Sequence, residues 1–226
     1  FYCLEKCIFL QFFLLHFKNF SQNSLHISFQ LHYKESHKLN SSFRPSNGFI
    51  STFVQELPIL SDSPSIINGY QITGYKEVTN DSVLSMGIYT RAINSLQKDK
   101  DARVSKRMFL PSYRLRGFEP GKIGPKDGAD FVGGNYMASF NTALTLPFLF
   151  PTYDNVDFSI FFDAANVWHV DYSKNVDQSN SVRSSTGIGL NLISPVGPLS
   201  FSLTQPITKA DGDITESVRF NLGTTF

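Results

Sequence analysis

Apolar and polar residues alternate with a period of two along most of this chain, and that feature narrows what it can fold into more than any other. In LHISFQLHYK, Leu25, Ile27, Phe29, Leu31 and Tyr33 take one side, and His26, Ser28, Gln30, His32 and Lys34 the other. Successive side chains of a strand point to opposite faces, so such a stretch reads as a half-buried β-strand. VLSMGIYTRA sets Leu84, Met86 and Ile88 against Ser85, Gly87, Tyr89 and Arg91. The pattern returns in FISTFVQELPI, where Phe49, Phe53, Leu57 and Ile59 fall together, and in NYMASFNTALTLPF, VDFSIFFDAANVW, SSTGIGLNLI, LSFSLTQ and SVRFNLGTTF; it is less clean in GYQITGYKEV. No 3.6-residue period is sustained, which argues against a helical bundle, and no solenoid-type repeat appears.

The alternation admits a soluble sandwich or a transmembrane barrel, and three features favour the barrel. The polar face uses Ser, Gly, Thr and Asn, with only occasional charges. Trp168 and Tyr136 stand near strand ends, where interfacial aromatic girdles sit. Tight turns, SPVGP at 194–198 and PSNG at 45–48, alternate with long connections such as 98–133. An apolar lipid face, a polar lumen and unequal loops are the pattern of membrane β-barrels. The expected fold class is therefore all-β, a transmembrane antiparallel β-barrel.

Bulk properties remove other classes. The 226 residues carry a formal net charge of +1, without the basic stripe of a nucleic-acid surface; no nucleic acid is expected as a partner. Mean hydropathy is −0.13, and no run approaches the roughly 18 apolar residues of a spanning helix. IFLQFFLLHF (8–17) is too short and holds Gln11 and His16, and no small-residue cleavage site follows it. Cys3 and Cys7 lack a second ligand pair. TGIGLN lies inside a strand pattern with no helix after it, so a nucleotide loop is rejected. ADGD (210–213) reads as a turn rather than a calcium loop. His26 and His32 are too far apart on one strand face for a metal pair. No nucleophile elbow or convergent Ser/His/Asp set is visible. Hence no catalytic residues, metal or cofactor are expected.

Arg116 lies in a loop, YRLRGFEPGKIGP (113–125), with more cations and aromatics than a turn needs. RLRGFEPGKIGPKDGADFVGGN, FFDAANVW, RSSTGIGLNLISPVGPLSFSLTQPI and the closing FNLGTTF together resemble the C-terminal barrel of the Omp85 superfamily, in particular its outer-membrane assembly factors of the surface antigen D15 type. The likeness is specific from about Ser82 to Phe226 and extends from about Leu25; Phe1 to Asn19 do not carry it. Residues 1–24 are set apart as an irregular or artefactual segment, and 25–226 as a partial barrel with its inward loop at about 97–133. The resemblance implies a sixteen-stranded barrel preceded by POTRA domains, of which this chain, beginning at Phe1 rather than Met, is expected to supply the C-terminal portion, about eight or nine strands.

The resemblance also implies that the R-G-F loop folds into the lumen. Arg116 is then expected to meet Asp163, which parity turns inward because Phe158, Ile160 and Phe162 turn outward. A planar, permanently charged fork suits a carboxylate. Gly117 permits close approach and unusual dihedrals, and Phe118 packs the loop on the wall. Relatives place a second inward carboxylate on the strand after the loop. Asn141 stands there instead, able to accept one hydrogen bond from the guanidinium; Glu119 and Asp157 are the alternatives. The implied seam between first and last strands is weak, with Phe220, Leu222, Gly223 and Phe226 as C-terminal strand signal and gate. The implied function is to fold and insert β-barrel proteins into the bacterial outer membrane, with lipid, client barrels and accessory assembly lipoproteins as partners. The alternatives are a related transporter of the TamA or two-partner secretion type, or a homologue in the outer membrane of a mitochondrion or plastid.

Overall fold

The computed structural model describes residues 26–37, 39–41, 45–79, 82–146, 156–170, 172–173, 175–178, 180–194 and 197–222. Nine strands form one antiparallel sheet: β1 (His26–His37), β2 (Gly48–Ser61), β3 (Ser65–Thr79), β4 (Ser82–Ser95), β7 (Tyr136–Thr145), β8 (Val156–Trp168), β9 (Arg183–Ser194), β10 (Gly197–Thr208) and β11 (Val218–Leu222). The short strands β5 (Lys126–Asp127) and β6 (Asp130–Phe131) form a separate hairpin within the long loop. Each main strand pairs with its sequence neighbour across that loop, so the order is a meander. Among the described residues the sheet does not close: β1 and β11 are its two edges.

Parity decides what each face carries. Met86, Ile88, Ile160, Ile188, Phe201, Leu203, Val218, Phe220 and Leu222 are all exposed, on the outer face. Ser139, Ser159, Asp163, Arg183, Ser185, Ser200, Ser202 and Arg219 are buried, on the inner face. A sheet with its apolar residues outside and its polar residues inside is the inverse of a soluble sandwich. Tyr136 and Trp168 lie opposite each other at one end of β7 and β8, ring centroids 6.0 Å apart.

Two expectations change. The β1–β2 connection is not a tight PSNG turn but spans 38–47, with Gly48 already in β2. Asn40 widens it: its Oδ1 accepts from the Ser46 and Asn47 amides at 2.9 and 3.1 Å, giving the backbone an alternative to a hairpin. The inner face is also not uniformly polar. Ile93, Met137, Ala165 and Val167 turn inward and bury against Ala102, Met108, Leu110, Leu115, Phe118 and Ile123 of the long loop. That loop, 96–135, returns along the inner wall and supplies the other half of a small apolar core. On either side of SPVGP, Ser194 stands opposite Gly197; Pro195 and Val196 lie outside the described residues. Cys3, Cys7 and the whole 1–24 segment lie outside the described residues.

Candidate functional site

The loop comes to rest where β8 and β9 carry an acidic and an uncrowded patch side by side. Asp163 points inward from β8 and is fully buried. Two residues earlier Phe161 points the same way, as the period of two requires. Opposite it on β9 stands Gly187. A Cβ there would come within 2.1 Å of the Leu203 carbonyl oxygen and 2.8 Å of the Phe161 ring. Glycine at 187 therefore lets Phe161 lie close against the wall, which is the role of the G-x-G in TGIGLN.

Arg116 settles on this platform. Its Nε donates to Asp163 Oδ2 at 2.7 Å and its Nη2 to Oδ1 at 2.8 Å, a two-pronged pair. The face of the guanidinium lies over Phe161, 3.4 Å from the ring centroid. The Arg116 amide donates to Asp163 Oδ2 at 3.2 Å, and the Arg116 carbonyl accepts from the Ser185 hydroxyl. One residue is thus gripped by backbone, charge and ring face at once. The pair is dry, with the Arg116 side chain 8% and the Asp163 side chain 0% exposed.

The neighbours of Arg116 explain the rest of the motif. Gly117 has φ +91°, and a Cβ would meet the Ser185 and Thr204 side chains at 3.3 Å; both the dihedral and the space call for glycine. Phe118 is buried in the apolar core under the loop. Arg114, pointing the other way, donates to Gln71 Oε1 at 2.7 Å and lies over Tyr89, 4.6 Å from its centroid. It reaches across the lumen to β3 and β4.

Asn141 does not serve as an acceptor for the guanidinium. Its Nδ2 donates to Asp163 Oδ1 at 2.8 Å and to the Arg114 carbonyl at 2.9 Å, while its Oδ1 accepts from the Ser139 hydroxyl at 3.2 Å. With Arg116 taking both carboxylate oxygens, the remaining lone pairs need donors, and the amide supplies one. Asp157 lies six residues down β8, roughly 20 Å away along the strand at ~3.4 Å per residue. Glu119 meets the chain elsewhere: its amide donates to the Ile214 carbonyl at 2.9 Å. Of the last-strand residues, Phe220 and Leu222 are exposed on the outer face; Gly223 and Phe226 lie outside the described residues.

Three further arginines turn inward, of which the alternation in SVRFNLGTTF already sets Arg219 on the polar face. Arg183 on β9 is fully buried and pairs with Asp213 of the ADGD turn at 2.9 Å. Arg219 on β11 pairs with Glu216. Arg107 in the loop pairs with Asp101 at 3.3 Å and lies over Tyr172. Parity on β9 and β11 marks Arg183 and Arg219 as inward, and a cation turned into a packed interior requires an anion there. Outside the sheet's spanning strands, Lys106 donates to Ser63 O and Ser65 Oγ, and burial lowers its pKa. The Tyr172 hydroxyl is raised by its hydrogen bond to Asp127.

Comparison with known proteins places this architecture. The Haemophilus ducreyi BamA structure lacking POTRA domains 1–3 superposes with a TM-score of 0.73 at 28% identity, over 86% of this chain and 42% of that one. The outer membrane protein assembly factor BamA of Neorickettsia risticii is 26% identical over 84% of this chain and 26% of its own length. A SAM50-like protein of Schizosaccharomyces pombe is 29% identical over 63% of this chain and 31% of its own. The chain thus spans about a quarter to a third of these two relatives. Residues 15–226 match the Omp85 superfamily domain, and with the nine-stranded sheet and its inward-folded loop this chain belongs to the Omp85 superfamily.

Proposed function

We propose that this chain is the closing part of the barrel of an outer-membrane assembly factor that folds and inserts β-barrel proteins. The observation that carries the reading is the pairing of two features on one sheet: a loop locked to the inner wall through Arg116 and Asp163, and an edge strand whose Val218, Phe220 and Leu222 are exposed on the outer face. In the full-length protein this strand meets the first strand of the barrel at a weakly paired seam, and the opened seam offers its N–H and C=O groups to an incoming strand. The outer face then meets lipid, and a client hairpin enters at the edge. The role is one of templating rather than covalent catalysis, and accessory lipoproteins would act with the full-length protein. Arg116, Gly117, Phe118, Asp163 and Asn141 anchor the loop, and the last strand from Phe220 onward is the gate.

The yeast relatives support a second setting. The sorting assembly machinery 50 kDa subunit of Saccharomyces cerevisiae is 30% identical over 50% of this chain, and the alternative to the bacterial outer membrane is that of a mitochondrion or plastid. The mechanism is the same in both. The test is a photo-crosslinking residue in place of Phe220 or Leu222 in the full-length protein, challenged with a client barrel arrested during assembly. Crosslinks to the client's terminal strand support the proposal. Crosslinks confined to lipid and to the protein's own strands overturn it.

A further inference from the structure

The chain leading into β11 does not continue the sheet. β10 extends to Thr208, yet β11 begins pairing only at Val218, opposite Leu203. The Thr204 amide still donates to the Ser217 carbonyl at 2.8 Å. Ahead of that point, residues 214–216 pair with the loop instead. The Glu216 amide donates to the Gly117 carbonyl at 3.1 Å, and the Ile214 amide to the Lys122 carbonyl at 3.4 Å. The Glu119 amide returns a bond to the Ile214 carbonyl at 2.9 Å. Phe118 and Thr215 form an antiparallel bridge. Continuing the β10–β11 register would set Thr215 opposite Pro206, which has no N–H to offer a ladder. The loop supplies the hydrogen bonds that β10 cannot.

Arg219 closes the junction. It is the inward residue at the start of β11 and is 7% exposed. Its Nη1 donates to the Ser112 carbonyl at 2.6 Å, its Nη2 to the Phe118 carbonyl at 2.5 Å, and its Nε to Glu216. One planar fork thus spans two loop carbonyls and the carboxylate of the strand's own approach segment. A lysine, as a point charge, could not span all three.

We propose that Arg219 is a clasp that makes the pairing of the last strand depend on the seating of the R-G-F loop. When the loop leaves its Asp163 seat, residues 214–216 lose their backbone partners in the loop, Arg219 loses two acceptors, and β11 is left with its five paired residues and the Thr204–Ser217 bond on β10. The coupling is a property of the fold; its use in adjusting the edge strand during client assembly rests on the function proposed above. The test therefore reads the coupling without a client. Full-length protein in lipid vesicles is followed by amide hydrogen exchange, with heat-modifiable gel migration confirming the folded barrel.

R219A should speed exchange in both 117–122 and 214–219 by roughly tenfold or more, the scale of losing hydrogen bonds to a charged group. R219K should resemble it. R116A, whose guanidinium lies on Asp163 and Phe161, should also speed 214–219, and R116A/R219A should exceed the stronger single variant only slightly, since both open one unit. Should R219A not fold, R219Q is read by the same criteria. The proposal is overturned if R116A frees the loop while 214–219 keep wild-type protection, or if the two substitutions act independently. Unchanged 214–219 exchange with defective client assembly would retain the assembly function and remove the clasp.

Discussion

Arg116→Ala is the sharpest perturbation the site allows, because the structure says what it strands. Asp163 is fully buried and stays in place on β8. It keeps the Asn141 amide at 2.8 Å and the backbone amide of residue 116 at 3.2 Å, but loses both guanidinium bonds. Removing one partner of a buried ion pair costs about 3–5 kcal/mol. The two retained donors place this case near the lower end, since a carboxylate that accepts hydrogen bonds is partly compensated. Losing the cation over Phe161 adds about 1 kcal/mol. A sum of about 3–4 kcal/mol lowers the ratio of seated to released loop by two to three orders of magnitude, at about 1.4 kcal/mol per tenfold. Burial of Leu115 and Phe118 in the apolar core opposes release, so the loop should loosen without the barrel unfolding. Hydrogen exchange and limited proteolysis over 113–123 in the full-length protein measure this directly. A cycle of R116A, D163A and the double variant supplies the coupling. A coupling under about 0.5 kcal/mol, the level expected of independent sites, would refute the anchoring argument.

Three other outcomes follow from the same structure. Ile88→Arg, on the outer face, should cost roughly 2–4 kcal/mol if mid-membrane and impair accumulation of folded barrel on heat-modifiable gels. Thr52→Arg, on the inner face beside the lumen cleft, should be milder, and equal effects would contradict the assignment of faces. Gly117→Ala forces φ +91° on an L-residue and drives a methyl to 3.3 Å from Ser185 and Thr204, costing about 1–3 kcal/mol in strain of a sparsely populated dihedral; loop exchange should rise as with R116A but without altering the Asp163 partner set. Arg183→Ala strands Asp213, whose side chain is 1% exposed, and should cost about 3–5 kcal/mol, seen as a lowered melting temperature for the β9–β11 region.

Parity made the strands legible and turned Asp163 inward; that the R-G-F loop brings Arg116 to it was implied by the resemblance to the Omp85 superfamily. Counting by twos from Ile160 turns Asp163 inward, and an R-G-F in a long loop supplies the cation. The same counting turns Phe161 inward, but a polar-lumen expectation hid it: nothing local announces that Gly187 and Gly189 hollow the neighbouring strand for a ring. The apolar core under the loop was hidden for a similar reason. Leu110, Leu115 and Ile123 are scattered among glycines and prolines, so they form no periodic stripe, and their partners Ile93, Met137 and Val167 are minority residues on a polar face. Asn141 was placed correctly in space and assigned the wrong hydrogen-bond polarity, because an amide can donate or accept and only the crowding around Asp163 decides. The detour of residues 214–216 onto the loop is a competition between two backbone partners, settled by Pro206 on one side and the open carbonyls of Gly117 and Lys122 on the other. Such choices between long-range partners lie beyond local patterning.

The proposed assembly of other barrels by the full-length protein is tested most directly by reconstitution. The full-length protein is placed in liposomes, a urea-denatured β-barrel client is added, and the folded fraction is followed by heat-modifiable gel migration. The account predicts folding faster than in protein-free liposomes of the same lipid, with much of the gain lost in R116A. Client folding at the rate of bare lipid, from a preparation whose own barrel is shown to be intact, would contradict it.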